Sequence, residues 1–503
     1  MNIAKEVFQN SIYNLLSTII NRAGGLIFTI IVARLLAPEL FGVYSLTLTI
    51  MLLFLTFADL GLGQTLIRYL ADALGKKNKT LARSYFKYLF KIKILVILVF
   101  ALALFLLSNA IAIFIFKKPE LIFPIKISTL YLFIVSILDF IAFTFFATKK
   151  IKFYTIKEVV FQVMRVALVP ILIITLALQF KVIGVFLVLT FAALCALIVS
   201  FYILRKNFLF LLKGKTIKVD QKRLLRFAIL LMIGVLPGVF FTYIDSLMLG
   251  AMLPVKFVGF YRAAYMIAAS VGSLIAFHTV LFPFFTQLRG KQLKNTFKKL
   301  FHFVAIVAFP MTFGVALISK PFIKILFGAE YLPATLPLYI LAFIILDAAL
   351  FSYFSALFQA KEKPEVPTKL VIIAAVLNII LNYFLIKFFS GIRIDLGMLG
   401  AALATFISRY FFGFAIGISA AKQLKIAPNF ESIYKPLLAS IGMSIFLVFI
   451  MFIKPPKTIL FGVIEIFLAA IIYLILLYLF KGVGIKDFIY LKNTLFKNEP
   501  TKI

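Results

Sequence analysis

The chain has 503 residues, 64% hydrophobic and only 14% charged, with 53 Lys and Arg against 18 Asp and Glu for a formal net charge of +35. Soluble domains are about half apolar and about a quarter charged, which excludes that class; the composition is that of a polytopic membrane protein with room for about 12 to 15 helical spans of roughly 20 residues each. The single cysteine, Cys195, excludes a disulfide framework and a multi-cysteine metal centre, and His278 and His302 leave little imidazole chemistry. No cofactor or metal is expected. Nucleic-acid binding needs a solvated basic surface with interleaved aromatics, whereas here the aromatics lie inside the apolar runs and the basic residues between them.

In chain order, apolar runs of spanning length fall at 11–36, 40–68, 90–116, 121–148, 158–179, 183–204, 227–250, 260–287, 301–318, 335–360, 369–387, 397–421, 433–453 and 458–480. An all-α integral membrane fold of about 14 transmembrane helices is expected. Asn10, Asn14, Asn21 and Arg22 interrupt the first run, so it is read as a retained span rather than a secretory signal. The connections 70–90, 149–157, 205–226, 288–300, 361–369, 422–435 and 481–503 hold 5, 4, 8, 5, 3, 3 and 5 Lys and Arg, against two or fewer in 117–120, 180–182 and 454–457. By the positive-inside rule the rich side is cytoplasmic, which puts both termini inside, with the cell's plasma membrane as the location.

The longest polar break, 205–226, divides a six-helix half at 1–204 from a second at 227–421, with two further spans and a tail at 422–503. The run Pro38-Glu39-Leu40-Phe41-Gly42-Val43-Tyr44 is echoed by Pro254-Val255-Lys256-Phe257-Val258-Gly259-Phe260-Tyr261, each placed as a tight turn between two spans with Gly and Tyr in register. Two halves repeated in one orientation predict a pseudo-symmetry axis along the membrane normal and a substrate site near the midplane.

Five segments carry a family resemblance. They are Ala58-Asp59-Leu60-Gly61-Leu62-Gly63 with Arg68 and Tyr69; Asp245 followed by Gly259-Phe260-Tyr261-Arg262-Ala263-Ala264-Tyr265; and Leu326-Phe327-Gly328-Ala329-Glu330-Tyr331 with Ala334. Asn378-Ile379-Ile380-Leu381-Asn382-Tyr383-Phe384-Leu385-Ile386 and Gly400-Ala401-Ala402-Leu403-Ala404-Thr405 complete the series. Together they resemble the oligosaccharide and polysaccharide flippases of the Wzx type, in the superfamily that also holds multidrug/cation antiporters and the lipid II flippase MurJ. The resemblance implies two six-helix lobes around a central cavity. It also implies alternating access that carries an oligosaccharide linked to a polyprenyl phosphate or diphosphate between leaflets, with membrane lipids and a glycan polymerase or ligase as partners. The chain is read as a monomer and not as an enzyme.

A charge inside a span is costly and is usually paired, turned to the bundle interior or set in a watery path. Arg22, Arg165 and Arg409 sit well inside their spans, and guanidinium suits phosphate because it offers two parallel hydrogen bonds and stays charged when desolvated. They are the expected phosphate-binding residues. For Arg34, Arg68 and Arg262, nearer span ends, pairing or snorkelling is favoured. Asp59, Asp245, Asp347 and Glu465 can serve ion coupling or pairing; for Asp59 and Asp245 a structural part is favoured, while Asp347 and Glu465 are less explained. Asn378 and Asn382 share a helix face and can meet sugar hydroxyls or lock neighbouring helices, the latter favoured. Gly24 and Gly25 in the first span, and Gly234, Pro237 and Gly238 in the seventh, are expected to bend or gate those helices. Gly214-Lys215-Thr216 lacks the upstream glycine of a phosphate loop, which argues against ATP hydrolysis.

Two other functions compete. A multidrug/cation antiporter of the same superfamily would more naturally have twelve spans and an acid-rich cavity. An integral-membrane glycan polymerase or glycosyltransferase would need a substantial loop carrying catalytic carboxylates or basic residues.

Overall fold

The computed structural model describes residues 3–275, 285–286, 288–453 and 459–483. His278 and the basic stretch from 484 onward lie outside the described residues. Among the described residues every regular element is helical, and ten helices are long and apolar enough to cross a membrane, or up to twelve when each of two bent pairs is one span. That count sits below the fourteen apolar runs for two reasons: runs 11–36 and 40–68 fall in one helical stretch, Gln9–Gly75, and the last described helix has an apolar part of only Ile464–Leu479. The chain forms two compact units, Met1–Ala263 with Asn382–Met398, and Ala264–Leu381 with Leu399–Ile503.

The first unit contains α1 (Ile3–Asp59), α2 (Leu62–Gly75), α3 (Lys79–Ala110), α4 (Ile122–Ala147), α5 (Ile151–Thr175), α6 (Lys181–Asn207), the short α7 (Leu209–Leu212), α8 (Gln221–Met252) and the start of α9 (Val255–Ile275). A straight helix as long as α1 would measure about 86 Å at 1.5 Å per residue, nearly three times the hydrocarbon thickness of about 30 Å. It is broken at Ala37, whose φ of 55° and ψ of 171° precede Pro38. Proline removes an N–H and drives the residue before it out of the helical region, so the break falls where the sequence places a turn. Side chains cap two of the helices: Asn78 accepts from Leu81 N–H at 2.9 Å to start α3, and Asp220 accepts from Arg223 N–H at 3.0 Å to start α8.

Packing in this unit follows i, i+4 stripes. Leu62, Leu66 and Leu70 of α2 bury against Phe86 of α3 and Phe140 and Phe145 of α4. The basic linker is strapped to α3: Arg83 donates from Nε to the Phe210 carbonyl and from Nη1 to the Lys215 carbonyl, both at 2.6 Å, and Ile217 N–H donates to Ser84 Oγ at 2.9 Å. Between Gln221–Gly234 and Gly238–Met252, α8 bends by 53°, at the Gly234-Pro237-Gly238 stretch expected to bend.

The two echoed turns touch each other within this unit. A Cβ on Gly42 would collide with the Val255 carbonyl, and one on Gly259 would stand 2.7 Å from the Pro38 oxygen and 3.0 Å from Gly42 N. Neighbouring backbone cannot yield as a flexible side chain can. Gly259→Ala and Gly42→Ala are therefore each expected to destabilise the protein by about 1–3 kcal/mol through overpacking. Thermal unfolding of the purified variants checks this, and wild-type unfolding temperatures would show that the approach is not made.

The second unit holds α10 (Gly290–Leu317), α11 (Ser319–Leu326), α12 (Thr335–Leu341), α13 (Ser352–Ala360), α14 (Glu365–Ile392, whose end lies in the first unit), α15 (Gly397–Leu424, whose first two residues do likewise), α16 (Glu431–Ile453) and α17 (Ile459–Leu479). Ala439, Met443 and Leu447 of α16 pack on Ala469, Tyr473 and Leu477 of α17. Tyr473 OH donates to the Ile306 carbonyl of α10 at 2.7 Å, tying that hairpin down. The segments Ala329–Leu341 and Ile344–Ala360 meet at 45°, and a single π turn, Asp347–Phe351, follows the bend.

Candidate functional site

Helix α5 carries Glu158, Gln162 and Arg165 at spacings of four and three, which puts them on one face. Helix α1, packed on it, presents Asn21, Gly24, Gly25 and Phe28. A Cβ on Gly24 would collide with Gln162 Oε1, and one on Gly25 would stand 3.5 Å from Arg165 Nη2. Gly24 thus lets Gln162 reach the α1 backbone, whereas the approach at Gly25 is an ordinary contact, and α1 stays helical through both. Gln162 Oε1 accepts from Arg165 Nε at 2.8 Å, and the guanidinium lies over the rings of Phe28 and Phe161, 4.7 and 5.0 Å from their centroids. Such aromatic faces stabilise a cation without neutralising it.

About two helical turns from Arg165 the charges are paired. Lys157 Nζ donates to Glu158 Oε1 at 2.8 Å and lies 3.6 Å from Asp139 Oδ1, and Asn21 Nδ2 donates to Glu158 Oε2 at 3.2 Å. Lys93 Nζ donates to Asp59 Oδ1 at 2.8 Å, with the lysine side chain 2% exposed. Asp59 ends α1 inside the Ala58–Gly63 motif, whose Leu60 and Gly61 take φ of 48° and 70° to turn the chain into α2. The carboxylates Asp59, Asp139 and Glu158 are each engaged by a lysine. Among the described residues no carboxylate lies within ion-pair distance of Arg165, whose terminal nitrogens are the pair that grips phosphate oxygens side by side. Arg22 is exposed on α1, one turn before Gly25, with no hydrogen bond or ion pair among the described residues.

The other expected residues make contacts of their own. Asp245, 3% exposed, accepts from Tyr261 OH at 2.6 Å and from Asn382 Nδ2 at 2.8 Å, so one carboxylate joins α8, α9 and α14 within the first unit. In the second unit Asn378 Nδ2 donates to Thr405 Oγ1 at 3.3 Å, bridging α14 and α15. Arg409 Nη1 donates to Asp347 Oδ2 at 2.7 Å, and this ion pair joins α15 to the π turn. Glu465 on α17 is 7% exposed, and its Oε2 has no hydrogen-bond partner among the described residues. Gly234 and Gly238 have open space where a Cβ would stand, at the bend in α8. Arg68 lies over Phe227, 4.5 Å from the ring centroid. Sequence reasoning missed Lys93, Lys157, Glu158 and Gln162. The Glu158-Gln162-Arg165 spacing is the signal that could have found the last two.

A family model described as polysaccharide biosynthesis protein matches residues 7–289, more than half of the chain, and one described as lipid II flippase MurJ matches residues 273–470. The chain is 28% identical over 229 residues to an uncharacterized membrane protein of Methanocaldococcus jannaschii, covering 43% of each chain. It is 28% identical over 176 residues to a probable low-salt glycan biosynthesis flippase of Haloferax volcanii, covering 34% of this chain and 36% of that one. The matches thus span less than half the length of these curated relatives. Among solved structures, the lipid II flippase MurJ in an inward closed conformation superposes with a TM-score of 0.74 at 16% identity, covering 95% of this chain and 99% of that one. An inward-facing multidrug resistance MATE family transporter of the MOP superfamily superposes at 0.62 and 14% identity, covering 83% of this chain and 99% of that one. At such identities the likeness is one of fold.

Proposed function

Because the chain belongs to the polysaccharide biosynthesis protein family, we propose that it flips a polyprenyl-(di)phosphate-linked oligosaccharide across the cytoplasmic membrane by alternating access, for assembly of a surface glycan. The observation that carries this reading is Arg165, an intramembrane guanidinium held by an amide and two aromatic rings and not neutralised by a carboxylate. A phosphate-bearing lipid supplies the missing anion. Arg22, exposed on the neighbouring helix, adds a second cation for the same group. Arg409 enters through its partner: substrate phosphate would compete with Asp347 for the guanidinium, and a coupling ion with Arg409 for the carboxylate, at the pair beside the π turn. Glu465 is the second candidate for coupling. With no phosphate-loop motif in the sequence, the drive is an ion gradient, the membrane potential or the substrate gradient. The positive-inside distribution of Lys and Arg supports cytoplasmic termini, and in this reading a glycan polymerase or ligase receives the product.

The multidrug/cation antiporter is the competing reading, and it needs a carboxylate open to a cation. In the first unit Asp59, Asp139 and Glu158 are held by lysines, which favours the anionic substrate. A ligand that binds only the folded state raises stability by about 2.7 kcal/mol at a hundred times its Kd. Thermal unfolding of the purified chain should therefore rise with a polyprenyl-diphosphate oligosaccharide and not with ethidium in the presence of sodium; the reverse pattern would move the assignment to the antiporter.

A further inference from the structure

The second unit carries a cavity of about 270 Å³ that none of the transport steps above uses. Its lining includes Lys298, Lys299 and His302 of α10, Glu431 and Lys435 of α16, and Lys481 beyond α17. Lys298 and Lys299 stand four and three residues before His302, so the three share one face of α10. Four lysines and a single glutamate give the lining a net charge of +3 with His302 neutral.

The walls are fixed to one another. Lys435 Nζ donates to Glu431 Oε2 at 2.7 Å and to the Lys481 carbonyl at 3.2 Å, clasping the start of α16 to the end of α17. About one helical turn beyond His302, the Tyr473–Ile306 hydrogen bond pins the same hairpin to α10. Lys298 and Lys299 precede the apolar run of α10, Glu431 and Lys435 open α16 and Lys481 follows α17, so the recess sits at span ends that the charge distribution assigns to the cytoplasmic side. Leu438 follows Lys435 by three residues and Tyr478 precedes Lys481 by three, and both are exposed apolar side chains, at 44% and 59%. A basic recess with exposed apolar side chains one turn away along its helices matches a charged head group joined to acyl chains.

We propose that this recess binds the phosphate of an anionic membrane lipid and holds that lipid against the C-terminal helix pair. The site needs no transported substrate, so its test is independent of the flippase reading. Titration calorimetry of the full chain in neutral detergent with dihexanoyl phosphatidylglycerol, dihexanoyl phosphatidylcholine and sodium pyrophosphate reads it directly. Saturable binding of phosphatidylglycerol is expected, at least about tenfold weaker in the Lys298→Gln/Lys299→Gln variant. Lys291→Gln/Lys294→Gln, which removes the same charge from α10 outside the lining, should leave it within about twofold. No binding by wild type, or equal weakening in both variants, would overturn the site. Pyrophosphate binding as tightly as the lipid would overturn the lipid as its source.

Discussion

Arg165→Ala is expected to lower transport of a polyprenyl-diphosphate oligosaccharide by roughly 10- to 100-fold while the protein stays folded. A hydrogen bond to a charged group contributes about 1.5–3 kcal/mol, and the guanidinium can offer two to a phosphate. Arg165→Lys should restore only part of the rate, because an ammonium keeps the charge but loses the planar fork. Gln162→Leu, which frees Arg165 Nε from its 2.8 Å acceptor, should fall between the two if the amide orients the guanidinium. Arg22→Ala removes an exposed side chain and should impair transport without destabilising the fold. Rates of Arg165→Ala and Arg22→Ala equal to wild type, in protein that elutes as a single folded species, would remove both from the mechanism.

Asp59→Ala is expected to cost about 3–5 kcal/mol of stability, because it strands Lys93 as an unpaired buried charge. The lysine side chain is 2% exposed and reaches Asp59, itself 32% exposed, at 2.8 Å, so the ammonium loses its carboxylate while remaining buried. Adding Lys93→Met to Asp59→Ala should recover most of it, since an apolar side chain of similar length carries no desolvation penalty. A double variant no more stable than the single one would show that the pair is not what holds α1 to α3. The same logic separates structure from transport: Asp59 variants rescued by Lys93→Met should flip substrate, whereas no second change in this pair should rescue Arg165→Ala.

The helical membrane fold was legible because burial in lipid demands long apolar runs, and those runs recur along the whole sequence. The turns at Pro38 and Pro254 were legible because proline and glycine punctuate an apolar pattern, whereas their contact with each other was not, because the echo implied only a repeat. The bend at 45° before Asp347 was not legible, since no glycine or proline occupies 338–351 to mark it. Arg165 was legible as a charge in the wrong place for a lipid-facing helix. Its surroundings were not, because Lys157 and Glu158 sit at the start of an apolar run and look like interface charges. Lys93 and Asp59 are 34 residues apart, so their pairing depends on how two helices are staggered. Arg409 shows the complementary lesson: its depth in the span was readable, while its engagement by Asp347 across 62 residues of chain was not.

The most direct test of the account is movement of a labelled polyprenyl-diphosphate oligosaccharide across proteoliposomes containing the purified chain, beside the Arg165→Ala variant and protein-free vesicles. Protein-dependent flipping that the variant loses is the predicted result. No flipping by the wild-type chain, or equal flipping by the variant, would contradict an anionic lipid-linked substrate held at Arg165.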